Sequence, residues 1–274
     1  MQRRTLIRAR DLAAFRDALS TLALSGAPLL ARRRAVIVPT RASAELLRQT
    51  IEDRALGAAG GAIVLPDLLT REDWLGRLLA AVPDAPALLP RLTREWLLAR
   101  AARRSARRPS VKGPPFELRP GLVSAMLDLY DELKRREQSV AGFARALLGK
   151  LESVGGTDRG SESLFQQTAF LAFAFLGYER GVAESGSWDE HVLRRELLDR
   201  QPPLPYDHVI VAVADERSGP GGLWPADFDL LGRLTGLSAL DVVMTDEVHD
   251  AGFRERVERE LPGIVETQIG RAHV

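Results

Sequence analysis

The sequence predicts an α/β fold in which a parallel sheet is interrupted by one large all-helical insertion. Three observations carry this expectation. Short β-branched runs alternate with helix-period segments over residues 1–82. Residues 83–205 carry helical periodicity and no convincing strand. The alternation then returns over 206–268, so both ends of the chain are expected in one sheet.

The elements follow in order. Arg4 to Ile7 is a short candidate strand. Asp11 can cap a helix over 11–24, on which Leu12, Phe15, Leu19 and Leu22 recur at helical spacing. Ala35-Val36-Ile37-Val38 suits a buried parallel strand ending at Pro39-Thr40. The next helix places Ala44, Leu47 and Ile51 on one face, leaves Arg48 and Gln49 for solvent, and is expected to break over Gly57 to Gly61. Ala62-Ile63-Val64-Leu65 reads as a third strand closed by Pro66. Thr70 with Asp73 forms a capping box for the helix after it. The insertion is expected to hold helices over 93–107, 120–136, 140–151, 164–184 and 188–198, with loops over 109–115 and 155–161. His208 to Val213 and Leu240 to Met244 are strands around a helix over 226–234, and 218–222 is a loop.

Composition narrows the chemistry. The 274 residues are 45% hydrophobic and 27% charged, ordinary for a globular chain. A net charge of +1 excludes a globally basic coat but leaves room for a local basic patch. With no cysteine there is no disulfide framework and no cysteine-ligated metal. His191, His208, His249 and His273 lack metal-ligand spacing. The N-terminus has no secretory pattern and no apolar run reaches about 20 residues. The default expectation is therefore a cytoplasmic protein without a membrane anchor.

Catalytic motifs are missing. A phosphate loop needs glycines, a lysine and a hydroxyl, and neither Arg8-Ala9-Arg10-Asp11 nor Pro39-Thr40-Arg41-Ala42-Ser43 supplies them. No GxGxxG or G-x-S-x-G occurs. Asp128, Asp131 and Glu132, with Lys134, Arg135 and Arg136, read as a solvated, salt-bridged helix face. Asp215-Glu216 lies just past a strand end, where a metal or nucleotide role competes with a polar turn.

Four stretches carry a resemblance: 35–47; 63–75; Arg119-Pro120-Gly121-Leu122 with Tyr130-Asp131-Glu132-Leu133-Lys134; and Tyr206-Asp207-His208-Val209-Ile210-Val211 with Leu230, Leu231 and Leu234. Asp189, shortly after an apolar helix, adds a fifth match. In this order they resemble the N-terminal region of AddB-type subunits of helicase–nuclease complexes. These are relatives of UvrD-like helicases grouped with the PD-(D/E)XK nuclease family. The resemblance implies a parallel RecA-like sheet with a large all-helical insertion. It implies a part in processing DNA double-strand ends for recombination, beside an AddA-type helicase subunit. The family's nuclease residues, and the Mg2+ they use, lie far C-terminal and map to no position here. Some members keep a phosphate loop after the first strand; Arg8 to Asp11 has none, which implies an inactivated helicase domain without its own ATPase site or cofactor. The family's Gly-Phe pair after the fourth strand is also lost, at Val213-Ala214-Asp215-Glu216.

Candidate DNA contacts can then be named. Arg91, Arg94, Arg100, Arg103, Arg104, Arg107, Arg108 and Lys112 crowd one segment against a single acid, Glu95. Such a cluster suits phosphate, and a solvated arginine face is the alternative. Trp96 could stack on a base, although its spacing with Leu92 and Ala99 favours a core role. Trp74 and Trp188 are expected in the core. Thr40, Arg41, Thr70 and Arg71 sit at strand ends, where helix amides or a guanidinium could hold phosphate; simple capping explains Thr70 equally well. A small-ligand α/β enzyme predicts a deep polar pocket and no exposed arginine stripe. A structural interaction module predicts Arg100, Arg104 and Arg107 packed against acids.

Residues 269–274, Ile-Gly-Arg-Ala-His-Val, look like the in-frame translation of a common sequencing-adapter stretch and stand apart from the fold; a natural tail is the alternative. A new helix begins in the pattern just before the end, so the natural protein is expected to continue beyond it.

Overall fold

A computed structural model describes residues 2–59, 63–107, 117–153, 159–213 and 222–269. Arg108, Lys112, Asp215, Glu216, the loop over 109–115, most of the loop over 218–222, and 270–274 lie outside the described residues.

In chain order the elements are β1 (Arg3–Ala9), α1 (Leu12–Leu24), a 3-10 turn (Pro28–Arg33), β2 (Arg34–Ile37), α2 (Arg41–Ala59), β3 (Asp67–Leu69) and α3 (Arg71–Ala81). Next come α4 (Arg91–Ala106), α5 (Pro120–Arg135), α6 (Val140–Ser153), α7 (Arg159–Ser185) and α8 (Glu190–Arg200). The chain returns through β4 (His208–Val213), α9 (Pro225–Arg233), β5 (Ala239–Thr245), α10 (Asp246–Val248), a π-helical turn, α11 (Arg254–Glu260) and β6 (Val265–Ile269). None of the described helices is long and apolar enough to cross a membrane.

The fold is α/β with an all-helical insertion. All six strands are parallel, in the order β3-β2-β4-β5-β1-β6. The two ends of the chain share this sheet because β2 pairs with β4, from Arg34 against His208 to Ile37 against Val211. Chain contacts divide into two compact units, Met1–Ala85 with Glu196–Val274, and Pro86–Arg195.

In the sheet unit the central strands are buried throughout: β2 and β4 carry no exposed residue. Their unbroken apolar runs are what a sheet covered on both faces requires. Phe15 and Leu19 of α1 and Leu47 and Ile51 of α2 pack on Val36, Ile210 and Val243. Asp11 accepts the Ala14 N–H at 2.8 Å, and the Thr70–Asp73 capping box forms. Arg34 is the one charged residue of β2. It is buried and donates to the Ala23 and Ser25 carbonyls and, from Nε, to Nδ1 of His208 at 3.0 Å. The other ring nitrogen of His208 faces Asp241 at 2.8 Å. Because Nδ1 accepts, the proton of the neutral ring sits on Nε2 and points at the carboxylate.

Two expectations need correction. The third strand is not over 63–65 but Asp67–Leu69, beyond Pro66, and Ala62 lies outside the described residues. A proline supplies no ladder donor, so pairing with β2 starts after it, while Ile63 and Leu65 pack on the core without joining the sheet. Helix α2 ends at Ala59, inside the expected break over 57–61. The chain's last described element is not a new helix. It is β6, which pairs with β1 from Thr5 against Val265 to Ala9 against Ile269.

The helical unit is built on α4, α5 and α7. Leu97, Leu98, Ala101 and Ala102 of α4 pack with Val123, Met126, Leu127 and Tyr130 of α5 and Phe170, Phe175 and Tyr178 of α7. Glycine lets α4 and α7 approach closely: a β-carbon on Gly177 would lie 3.0 Å from Cβ of Ala101.

Candidate nucleic-acid interface

Helix α4 sorts its arginines by position. Leu97, Leu98, Ala101, Ala102 and Ser105 face the core. Positions 92, 96, 100, 103 and 107 fall on the outer face at helical spacing. Arg91 and Arg94, near the start, are tied down. Arg91 pairs with Glu95 and Asp128 at 3.0 and 2.8 Å. Arg94 is buried against Asp131 and donates to the Tyr178 hydroxyl at 2.8 Å. Arg100 approaches Glu184 at 3.6 Å and lies over the Trp96 ring, 5.2 Å from its centre. Arg103, Arg104 and Arg107 are exposed and make no ion pair within the described residues. They end the helix, where cations also suit its dipole.

Trp96 is not a core residue as its spacing suggested. It is 56% exposed, and Leu92 is 77% exposed. The buried stripe of α4 follows Leu97 and Ala101, one position further round, because α7 covers that side. Trp74 is fully buried, and Trp188 is partly buried.

A shallow groove of about 170 Å³ runs between α4 and α7. Arg100 and Arg104 line it from α4, with Leu176, Arg180 and Glu184 from α7. Arg180 is exposed and pairs with no described acid. Sequence reasoning missed Arg180, since it lies far from the α4 cluster in the chain. The one available signal was its helical spacing from Gly177 and Leu176.

The strand-end candidates share one edge of the sheet, since β2 and β3 are parallel neighbours. Thr40 accepts the Ser43 N–H at 3.1 Å and so caps α2. Thr70 and Asp73 cap α3, and hydrogen bonds from Thr70 hold Asp73 below the ordinary carboxylate range. Arg71 is a bidentate partner of Asp227, at 2.7 and 3.0 Å, with only 12% of its side chain exposed. Arg41 differs: its side chain is 82% exposed and only loosely opposed by Asp73 at 3.8 Å.

The turn between β1 and α1 is two residues long, Arg10-Asp11. The Asp11 carboxylate occupies the N-terminal amide of Ala14, and that bond holds its pKa below the usual value. A phosphate at this helix end would meet a carboxylate instead of free amides.

Beside the basic face, the helical unit contains a buried ionic hub. Asp131 is not on a solvated face: it is 4% exposed, while Asp128 and Glu132 do pair at the surface with Arg91 and Arg136. The Asp131 oxygens face both terminal nitrogens of Arg94, and His191 Nε2 lies at 3.0 Å. Burial alone would raise the Asp131 pKa, but the bonds from His191 and Arg94 hold it below the ordinary value. Burial, reinforced by Asp189, pushes the Tyr130 and Tyr178 phenols well above theirs. Asp189 accepts from Tyr178 and caps α8 through the His191 and Val192 amides. Lys134 and Tyr130 both reach Glu179, at 3.1 and 3.2 Å. Ligand atoms of Asp131, Glu190 and His191 converge within 4.8 Å. Arg94 and His191 already occupy the oxygens of Asp131 there. A cavity of about 560 Å³ adjoins it, lined by Lys134, Glu179, Trp188 and His191 among others.

No protein-family model matches this chain, and no curated protein matches it.

Proposed function

We propose that this chain is a helicase-like scaffold that binds single-stranded DNA through the outer face of α4, in a protein that processes DNA ends. One observation carries the reading. Arg103, Arg104 and Arg107 stand exposed and pair with no acid among the described residues, directly after an exposed tryptophan and its stacked arginine. Guanidinium groups free of internal partners can take phosphate, and an exposed indole offers a stacking platform. The resemblance noted above supplies the biological setting, in which such a region works beside an AddA-type subunit and a Mg2+-dependent nuclease. The Asp11-capped turn after β1 supports a motor-like sheet without its own nucleotide site.

The interaction-module alternative required Arg100, Arg104 and Arg107 to pack against acids. Among the described residues only Arg100 has one within 4 Å, Glu184. The enzyme alternative required a deep pocket and no arginine stripe; a sizeable cavity exists, but so does the stripe.

Fluorescence anisotropy of a labelled oligo-dT with the full chain tests the reading. The Arg103→Ala/Arg104→Ala/Arg107→Ala variant should bind about ten-fold or more weakly at low salt. Equal affinity for variant and parent would remove the reading.

A further inference from the structure

We infer that the groove between α4 and α7 is the track of the DNA strand, with a base stacked on Trp96 and the adjoining phosphate between Arg104 and Arg180. The inference rests on the single-strand reading above and adds a path, a base platform and a contact from a second helix. Trp96 is 56% exposed beside Leu92, its neighbour one turn earlier, at 77%; adjoining exposed apolar side chains of this kind mark interaction surfaces. Arg100 joins the two halves of the site, since it lies over the Trp96 ring and also lines the groove. Arg104 and Arg180 enter the same groove from opposite walls, and neither is neutralised by a described acid.

The floor is shaped by glycine. Gly177 and Gly181 lie against Ala101 and Leu97 of α4, so the two walls carry their cations close together. Such a site favours a single strand, whose unstacked bases reach an aromatic face, over a duplex whose bases are already stacked. Glu184 is the opposing element. It sits in the groove at 3.6 Å from Arg100, where it competes with phosphate for that guanidinium.

The test compares four variants of the full chain on oligo-dT and on a duplex of equal length. Trp96→Ala should lose about ten-fold in single-strand affinity with little change on duplex, while Trp96→Phe keeps most of it. Quenching of intrinsic tryptophan fluorescence by oligo-dT should vanish in Trp96→Phe. Arg180→Ala should weaken binding and lower the salt slope by about 0.7. Glu184→Gln should tighten binding by about two- to five-fold, a gain that damage to the fold would not produce. If Trp96→Ala, Arg180→Ala and Glu184→Gln all bind like the parent while the triple arginine variant is weakened, the groove is overturned and the single-strand reading stands. If the parent itself ignores oligo-dT, both fall.

Discussion

Arg94 meets Asp131 with both terminal nitrogens while its Nε donates to the Tyr178 hydroxyl, so one guanidinium on α4 joins side chains from α5 and α7. All three groups are largely buried, and each satisfies another's polar atoms. Removing one partner of such a pair leaves a buried charge, which costs far more than the intact pair contributes.

Asp131→Ala should therefore destabilise the chain by about 3–5 kcal/mol. A paired replacement, Arg94→Met with Asp131→Leu, should recover most of that loss, because no uncompensated charge remains. Urea midpoints of the single and double variants decide this; a double variant as unstable as Asp131→Ala would refute the hub.

Stability should fall in acid. Asp131 and Asp241 are both held below the ordinary aspartate value of 3.8: burial opposes this, but His191 with Arg94, and His208 with Arg3, outweigh it. A depressed folded pKa means that the stabilisation is fully present above the unfolded value. It is lost as pH drops through that value toward the folded one. Thermal melts should be flat from neutrality to about pH 5 as far as these two groups are concerned, then decline below about pH 4. In Asp131→Asn the decline should be shallower.

Gly177 should tolerate little. Alanine brings its β-carbon to 3.0 Å from that of Ala101, so one helix must shift by a few tenths of an ångström. Valine or leucine should cost about 1–3 kcal/mol through overpacking. Gly76, whose added β-carbon meets nothing within 4 Å, is the control. It should accept alanine with a slight gain in thermal stability.

Salt should report the number of phosphate contacts. With three arginines removed from the end of α4, the slope of log affinity against log salt should drop by about 2 for a single strand. Titrations at several salt concentrations measure it; an unchanged slope would mean that these side chains do not release counterions.

By itself the sequence determined the layered plan. β-branched runs such as 35–38 and 208–213 have one stable setting, a sheet buried on both faces, and the helical spacing of 93–107 or 120–136 leaves few alternatives. The caps at Asp11 and Thr70 were equally legible, since they depend on neighbours three residues away. Partnership across the fold was not. Arg34 follows Arg32 and Arg33 in the chain, yet its β2–β4 register sets it beside His208. Asp131 looked solvated until α4 and α8 brought Arg94 and His191 to it. Trp96 looked internal until α7 took the neighbouring stripe of α4 instead. Local periodicity sets which residues form a helix face, but which face is covered, and by which charges, depends on elements many residues away. Only packing decides that.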